Sequence, residues 1–361
     1  LVKSELVGEY SLLKALKAKI IRLQKQDTVY ISASGNDDNN GTSGSPTATF
    51  DAAVALMNKG GAIYIDGEYV VDSKFTFNSY GKDLVITGGT LDLSALSNVN
   101  FADNITFDNV TLKFKDNANI YANGYNLTIN SNVTVEGTTN LFGGGASGTT
   151  VNSTNLKILS GNYKTICGGS RQGTVLGDTN LYIGGYVNKD IVTALAHANT
   201  ANIYGGGLED AVNGSTNIIF TDNALSSYVS GGGTYASSGG ASGTVGGDTN
   251  IGVSGNAQTY GVYGGSKAAG TVGGDINVLI DGGAVADLFG GHGGANHEGN
   301  VYIELKKGSI DRRIWGGCYN DHYYNSLTDY GWSSSYHVIG SIYVAVWNEF
   351  SFVFDGADST G

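Results

Sequence analysis

The feature that most constrains this chain is a repeat in its C-terminal two-thirds. An apolar–aromatic pair followed by Gly-Gly recurs at Leu141-Phe142, Ile166-Cys167, Ile203-Tyr204, Val229-Ser230, Val262-Tyr263, Leu288-Phe289 and Ile314-Trp315, with Cys and Ser standing twice in the aromatic slot. The second members are 25, 37, 26, 33, 26 and 26 residues apart. A second signal runs in phase: Asn155, Asn180, Asn217, Asn250, Asn277 and Asn300 each open a short β-branched run such as Asn-Leu-Lys-Ile. A period of 25 to 26 residues that tolerates insertions of 7 to 12 marks a solenoid. A unit this short cannot bury its apolar face alone, so units stack.

Composition supports the same reading. Of 361 residues 57 are Gly and one is Pro, and charged residues make up only 14%. Asn, Ser and Thr supply the polarity, and 40% apolar content is enough for a core, which argues against disorder. Near absence of Pro suits a backbone whose N–H groups are committed to ladders. A net charge of −12 makes nucleic acid a poor partner, because phosphate binding needs clustered Lys and Arg. No uninterrupted apolar run approaches the ~18 residues of a membrane span. The two cysteines, Cys167 and Cys318, fall several rungs apart. At ~4.8 Å per rung they are too distant for a disulfide and read as small buried hydrophobes.

The ends differ from the body. Residues 1–26 are rich in Leu, Lys and Ala, and Leu6, Leu13 and Ile20 with Val2, Leu16 and Leu23 fit heptad positions a and d. That pattern suits either a helix capping the first rung or a short oligomerising stalk. Residues 27–70 carry Val29-Tyr-Ile-Ser-Ala-Ser-Gly-Asn, then Thr49-Phe-Asp-Ala-Ala-Val, then Gly60-Gly-Ala-Ile-Tyr-Ile-Asp-Gly. A strand, a polar turn, a short helix and a second strand follow from these. The passage resembles the opening of the pectate-lyase-like superfamily of right-handed parallel β-helix proteins. The resemblance covers about 45 residues and implies an all-β, right-handed parallel β-helix with a short capping helix. It does not select a function, since the same opening precedes lyases, hydrolases, adhesins and phage tailspikes. Residues 71–318 read as rungs, with short strands such as Ile105-Thr-Phe and Val110-Thr-Leu before the Gly-Gly series. The Gly pairs suit a turn needing positive φ and close approach between rungs. Residues 319–361 form an aromatic-rich loop and terminal strands, as end units of solenoids deviate to cover the core.

Candidate chemistry is sparse. The Asn column reads as a structural ladder satisfying neighbouring backbone groups. Two residues before each Asn lies a second column: Ser153, Asp178, Ser215, Asp248, Asp275 and Glu298. Asp248, Asp275 and Glu298 on successive rungs would stand roughly 5 Å apart. Carboxylates that close suit a bound Ca²⁺ or glycosidic acid–base chemistry, or simply cap exposed turns. Arg171 and Lys267 share one register position after Gly-Gly-Ser, three rungs apart. Polysaccharide lyases on the resembled fold use such a base, yet two residues that far apart cannot reach one sugar. Gly291-His292-Gly293 is similar to a short motif of polygalacturonase-type hydrolases, without its accompanying acids, and His292 with His297 and Glu298 lacks a further strong metal ligand.

The C-terminal end is the richest surface. Trp315, Tyr319, Asp321, His322, Tyr324 and Trp332 combine aromatic faces with polar edges, which suits sugar rings. The sequence therefore leads to an extracellular, non-catalytic β-helix module of a cell surface or virion: an adhesin, filament subunit or tail-fibre part. It would face glycans and assemble through residues 1–26 and the C-terminal end. The competing expectation is a polysaccharide lyase or glycoside hydrolase working on an acidic polymer through Asp248, Asp275, Glu298, Arg171 or Lys267. Ca²⁺ is the one candidate cofactor.

Overall fold

The computed structural model describes residues 14, 24–197, 200–234, 243–267, 270–293, 297–318 and 340–352. The heptad segment at the N-terminus, apart from Lys14 and residues 24–26, lies outside them. So do Tyr319, Asp321, His322, Tyr324 and Trp332.

Among the described residues nineteen strands join one hydrogen-bonded sheet. Each strand pairs in parallel with its equivalent one turn later. Thr154–Ile158 pairs with Thr179–Ile183, which pairs with Thr216–Phe220, which pairs with Thr249–Tyr263. The chain is a parallel β-helix. Alternation explains it: along each strand one side chain points inward and the next outward. Leu156 and Ile158 stack under Leu181 and Ile183, then Ile218 and Phe220, then Ile251 and Val253, all buried. A second inward column runs Val99, Ile120, Leu141, Ile166, Ile203, Val229, Val262 and Leu288. A third is formed by Val175, Val212, Val245 and Val272. Three apolar columns enclose one continuous core.

The repeat aligns as its letters suggest, but its glycines act differently from expectation. None of the first glycines, Gly143, Gly168, Gly205, Gly231, Gly264 and Gly290, has positive φ. Close approach alone selects them. A Cβ on Gly143 would lie 2.2 Å from the Gly168 carbonyl oxygen, and one on Gly264 would lie 2.1 Å from that of Gly290. Positive φ is found at corners within strands instead, as at Asn109 (48°) and Gly255 (63°). Such a corner joins the two short segments around Ile105 and Val110 into one strand, Ile105–Phe114.

Buried threonines tie together neighbouring strands of each turn. The hydroxyls of Thr154, Thr179, Thr216 and Thr249 donate to the carbonyls of Gly168, Gly205, Gly231 and Gly264 at 2.6–2.7 Å. All four threonines are fully buried, so each bond satisfies a hydroxyl that would otherwise be stranded.

The N-terminal end is closed by its own chain. Thr49 caps the helix Phe50–Leu56 by accepting from the Ala52 N–H at 3.3 Å. Phe50, Ala53, Val54 and Leu56 enter the core, with Phe50 edge-on to Phe75 and Phe77. The outer edge of strand Gln26–Ile31 is occupied by the following turn, through Tyr30 N–H to Gly41 and Thr47 N–H to Tyr30. At the other end, strand Ile342–Phe352 pairs with Val301–Trp315. There the inward positions Ile342, Val344 and Val346 are 43–51% exposed.

Candidate functional site

The acidic column bonds one rung to the next. Register places Val301 opposite Ile276, so Asn300 stands over Asp275 and Glu298 falls two residues outside the column. The last Asn of the Asn column is likewise displaced: Tyr302 is opposite Asn277. From Asp178 onward each side chain of the acidic column accepts the backbone N–H of the next rung. Asp178 accepts from Ser215 at 2.8 Å, Ser215 from Asp248 at 3.0 Å, Asp248 from Asp275 at 2.8 Å, and Asp275 from Asn300 at 2.9 Å. Asn300 completes the series by accepting from Ser341 at 3.0 Å. Such a bond needs an acceptor of the right length, which is why Ser, Asp and Asn interchange here.

The other sequence candidates are dispersed. Arg171 donates to the Tyr121 hydroxyl at 3.4 Å, and the Lys267 ammonium lies 3.5 Å from the Tyr228 ring centroid. Trp315 is half-buried and continues the aromatic column, 6.1 Å from Phe289. That column is mostly interior: Tyr121, Phe142, Cys167 and Tyr204 form one buried cluster, and Tyr263 and Phe289 belong to another with Tyr228 and Tyr260 from outside the column. Its repeating aromatics fill a corner of the solenoid. Asp287, only 2% exposed, is held by a two-pronged ion pair from Arg313 at 2.9 Å. Cys167 and Cys318 are free and buried, and burial raises both thiols above their ordinary value.

His292 and His297 do come together, with ring centroids 5.4 Å apart. Both are fully buried. Nδ1 of His292 accepts from the Ser266 N–H at 2.9 Å, which places the ring proton on Nε2. Nε2 of His297 lies 3.3 Å from the Asn300 carbonyl, to which it donates. That leaves His292 with no free lone pair for a cation, and Glu298 is exposed. Among the described residues no three His, Cys, Asp or Glu side chains are grouped to hold a metal ion.

A groove that the repeating Asn residues mark on one side only lies on the outer face. It has a volume of about 590 Å³ and runs along the solenoid across four strands. Its lining alternates between two outward columns. One is Asn126, Asn155, Asn180 and Asn217; the other is Thr128, Lys157, Tyr182 and Ile219. The amides form a ladder in which Asn180 Nδ2 donates to Asn155 Oδ1 at 3.0 Å and Asn217 Nδ2 to Asn180 Oδ1 at 3.0 Å. Asn250 and Asn277 extend it at 2.9 and 3.0 Å. Nδ2 of Asn180 and Asn217 also donates to the Thr154 and Thr179 carbonyls at 3.4 and 3.5 Å, so what each of these amides keeps for a ligand is an acceptor lone pair on Oδ1. Lys157 sits 5.9 Å from the Tyr182 ring centroid, and Ile219 is 48% exposed. Beyond Ile219 the second column continues with Gly252, which offers no side chain.

No protein-family model, curated protein or solved structure matches the chain. No helix among the described residues is long and apolar enough to cross a membrane.

Proposed function

We propose that this protein is a non-catalytic, extracellular β-helix rod that holds a hydroxyl-rich glycan along its outer face. A cell-surface adhesin, a filament subunit and a tail-fibre part are the settings that suit it. The groove is the observation that carries this reading. It offers an amide on each rung, the face of Tyr182 for sugar C–H groups, and an apolar shelf at Ile219. Its single ionisable group of formal charge is Lys157, and the whole chain carries −12, so a weakly charged polymer fits better than a polyanion. Catalysis is disfavoured by the use of Asp178, Asp248 and Asp275 as backbone acceptors.

Affinity electrophoresis against neutral and acidic polysaccharides tests the proposal. A neutral glycan should retard the protein, and Tyr182→Ala should weaken retention about tenfold, the equivalent of roughly 1.4 kcal/mol of ring contact. Tyr182 is an outward side chain, so the variant should keep its fold. Retention by no polysaccharide, or retention unchanged in Tyr182→Ala, would remove the groove from the account.

A further inference from the structure

We propose that the His292–His297 pair is an acid-released latch on the C-terminal rungs. The argument rests on how the two rings are wired, independently of what the groove binds. His292 Nε2 and His297 Nδ1 are both buried and have no hydrogen-bond partner. The tautomers fixed by Ser266 and Asn300 make the first a donor and the second an acceptor. The two orphaned groups are therefore complementary and share one interior corner. A direct bond after a small ring shift, or a bridging water, would satisfy both.

A proton on His292 breaks this arrangement. On its Nδ1 it sets a donor against the Ser266 N–H. Neither ring has room to relax into water, so the neutral pair is compatible with the closed structure and the charged pair is not. Burial lowers the proton affinity of both rings, and the neighbouring His297 lowers that of His292 further. The groups facing His292 are His297, the Ser266 amide and Cys318, whose sulfur accepts from the His292 N–H at 3.4 Å. His297 faces the Asn300 and Val272 carbonyls and the carboxylates of Asp275 and Glu298, which partly offset its burial.

The latch joins three rungs. Ser266, His292 and Cys318 occupy equivalent positions on successive turns, each bonded to the next through a backbone N–H. Opening the pair would expose Cys318, which supplies a built-in reporter. Cys167, five rungs away and fully buried, supplies the reference.

The test is labelling of the two thiols with an aromatic disulfide reagent that reacts at acid pH, read site by site by mass spectrometry and normalised to a free thiol. With His292 at about 3 in the closed state and 6.5 when opened, Cys318 labelling should rise about 30-fold between pH 7.5 and pH 5 while Cys167 stays protected. His292→Asn, whose Oδ1 replaces the Nδ1 acceptor, should flatten the response. Equal protection of Cys318 at both pH values would overturn the latch. A parallel rise at Cys167 would also overturn it, by showing general unfolding. The wild-type ratio of the two thiols decides the matter even if a variant fails to fold.

Discussion

Replacing Gly264 by Ala should destabilise the solenoid strongly, whereas the same change at Gly252 should stabilise it. A Cβ on Gly264 would stand 2.1 Å from the Gly290 carbonyl oxygen and 2.4 Å from Ile276 Cγ2. Relief to the ordinary limit of about 3 Å requires the rungs to part by close to 1 Å. The bonds across this gap, Gly264 N–H to Phe289 at 2.8 Å and Gly265 N–H to Gly291 at 3.0 Å, would stretch beyond useful length. Two weakened bonds at about 1 kcal/mol each, with about 1–3 kcal/mol of overpacking, give a cost of roughly 3 kcal/mol or more. Gly252 occupies an outward strand position with ordinary φ, and its nearest neighbour is the Ile218 carbonyl at 3.9 Å. Ala there should add about 0.5–1 kcal/mol by restricting the unfolded chain. Urea unfolding of both variants measures the pair. Equal effects, or a stable Gly264→Ala, would refute the claim that close approach of rungs selects the glycine column.

Other outcomes follow from the same geometry. Thr216→Val should cost about 1 kcal/mol in urea unfolding, because the Gly231 carbonyl loses its buried donor. Asp275→Asn should be nearly silent, since its Oδ1 still accepts from Asn300, whereas Asp275→Ala should cost about 1 kcal/mol. Acid should weaken the fold through His292. Burial and the neighbouring His297 hold it at about 3, below its ordinary 6.5. A depressed value means that its contribution is complete above about pH 6.5 and is lost as pH falls toward 3. The loss should reach about 2 kcal/mol at pH 5, and His292→Asn should show less of it in urea midpoints at pH 7.5 and 5.

Register was legible wherever backbone contact dictates the residue. Leu141, Ile166, Ile203, Val229, Val262, Leu288 and Ile314 stack as their Gly-Gly partners indicate, because no larger residue fits where rungs touch. The capping helix was legible from Thr49 and the apolar face of Phe50-Asp-Ala-Ala-Val. Letter matching failed at the last rung. Asn300 resembles Asn277 as a letter, but inward Val301, Ile303 and Leu305 must lie over Ile276, Val278 and Ile280. Following the alternation rather than the Asn would have put Asn300 over Asp275. The second column of the groove was invisible for the opposite reason, while its Asn column stood in the repeat. Thr128, Lys157, Tyr182 and Ile219 face outward, where packing imposes no shared residue type, so a search for repeats passes over them. The sequence set His292 beside His297 as metal ligands, but not their wiring, which follows from His292 taking the place of Ser266 in its column.

The most direct test of the account is whether the protein cuts what it binds. Purified protein would be incubated with each retained polysaccharide, with and without Ca²⁺, and followed for new reducing ends and for ultraviolet absorbance of unsaturated products. The account expects binding without either signal, and an unchanged result for Asp275→Asn. Product formation abolished by Asp275→Asn would contradict it, by showing that the acidic column performs chemistry rather than joining rungs.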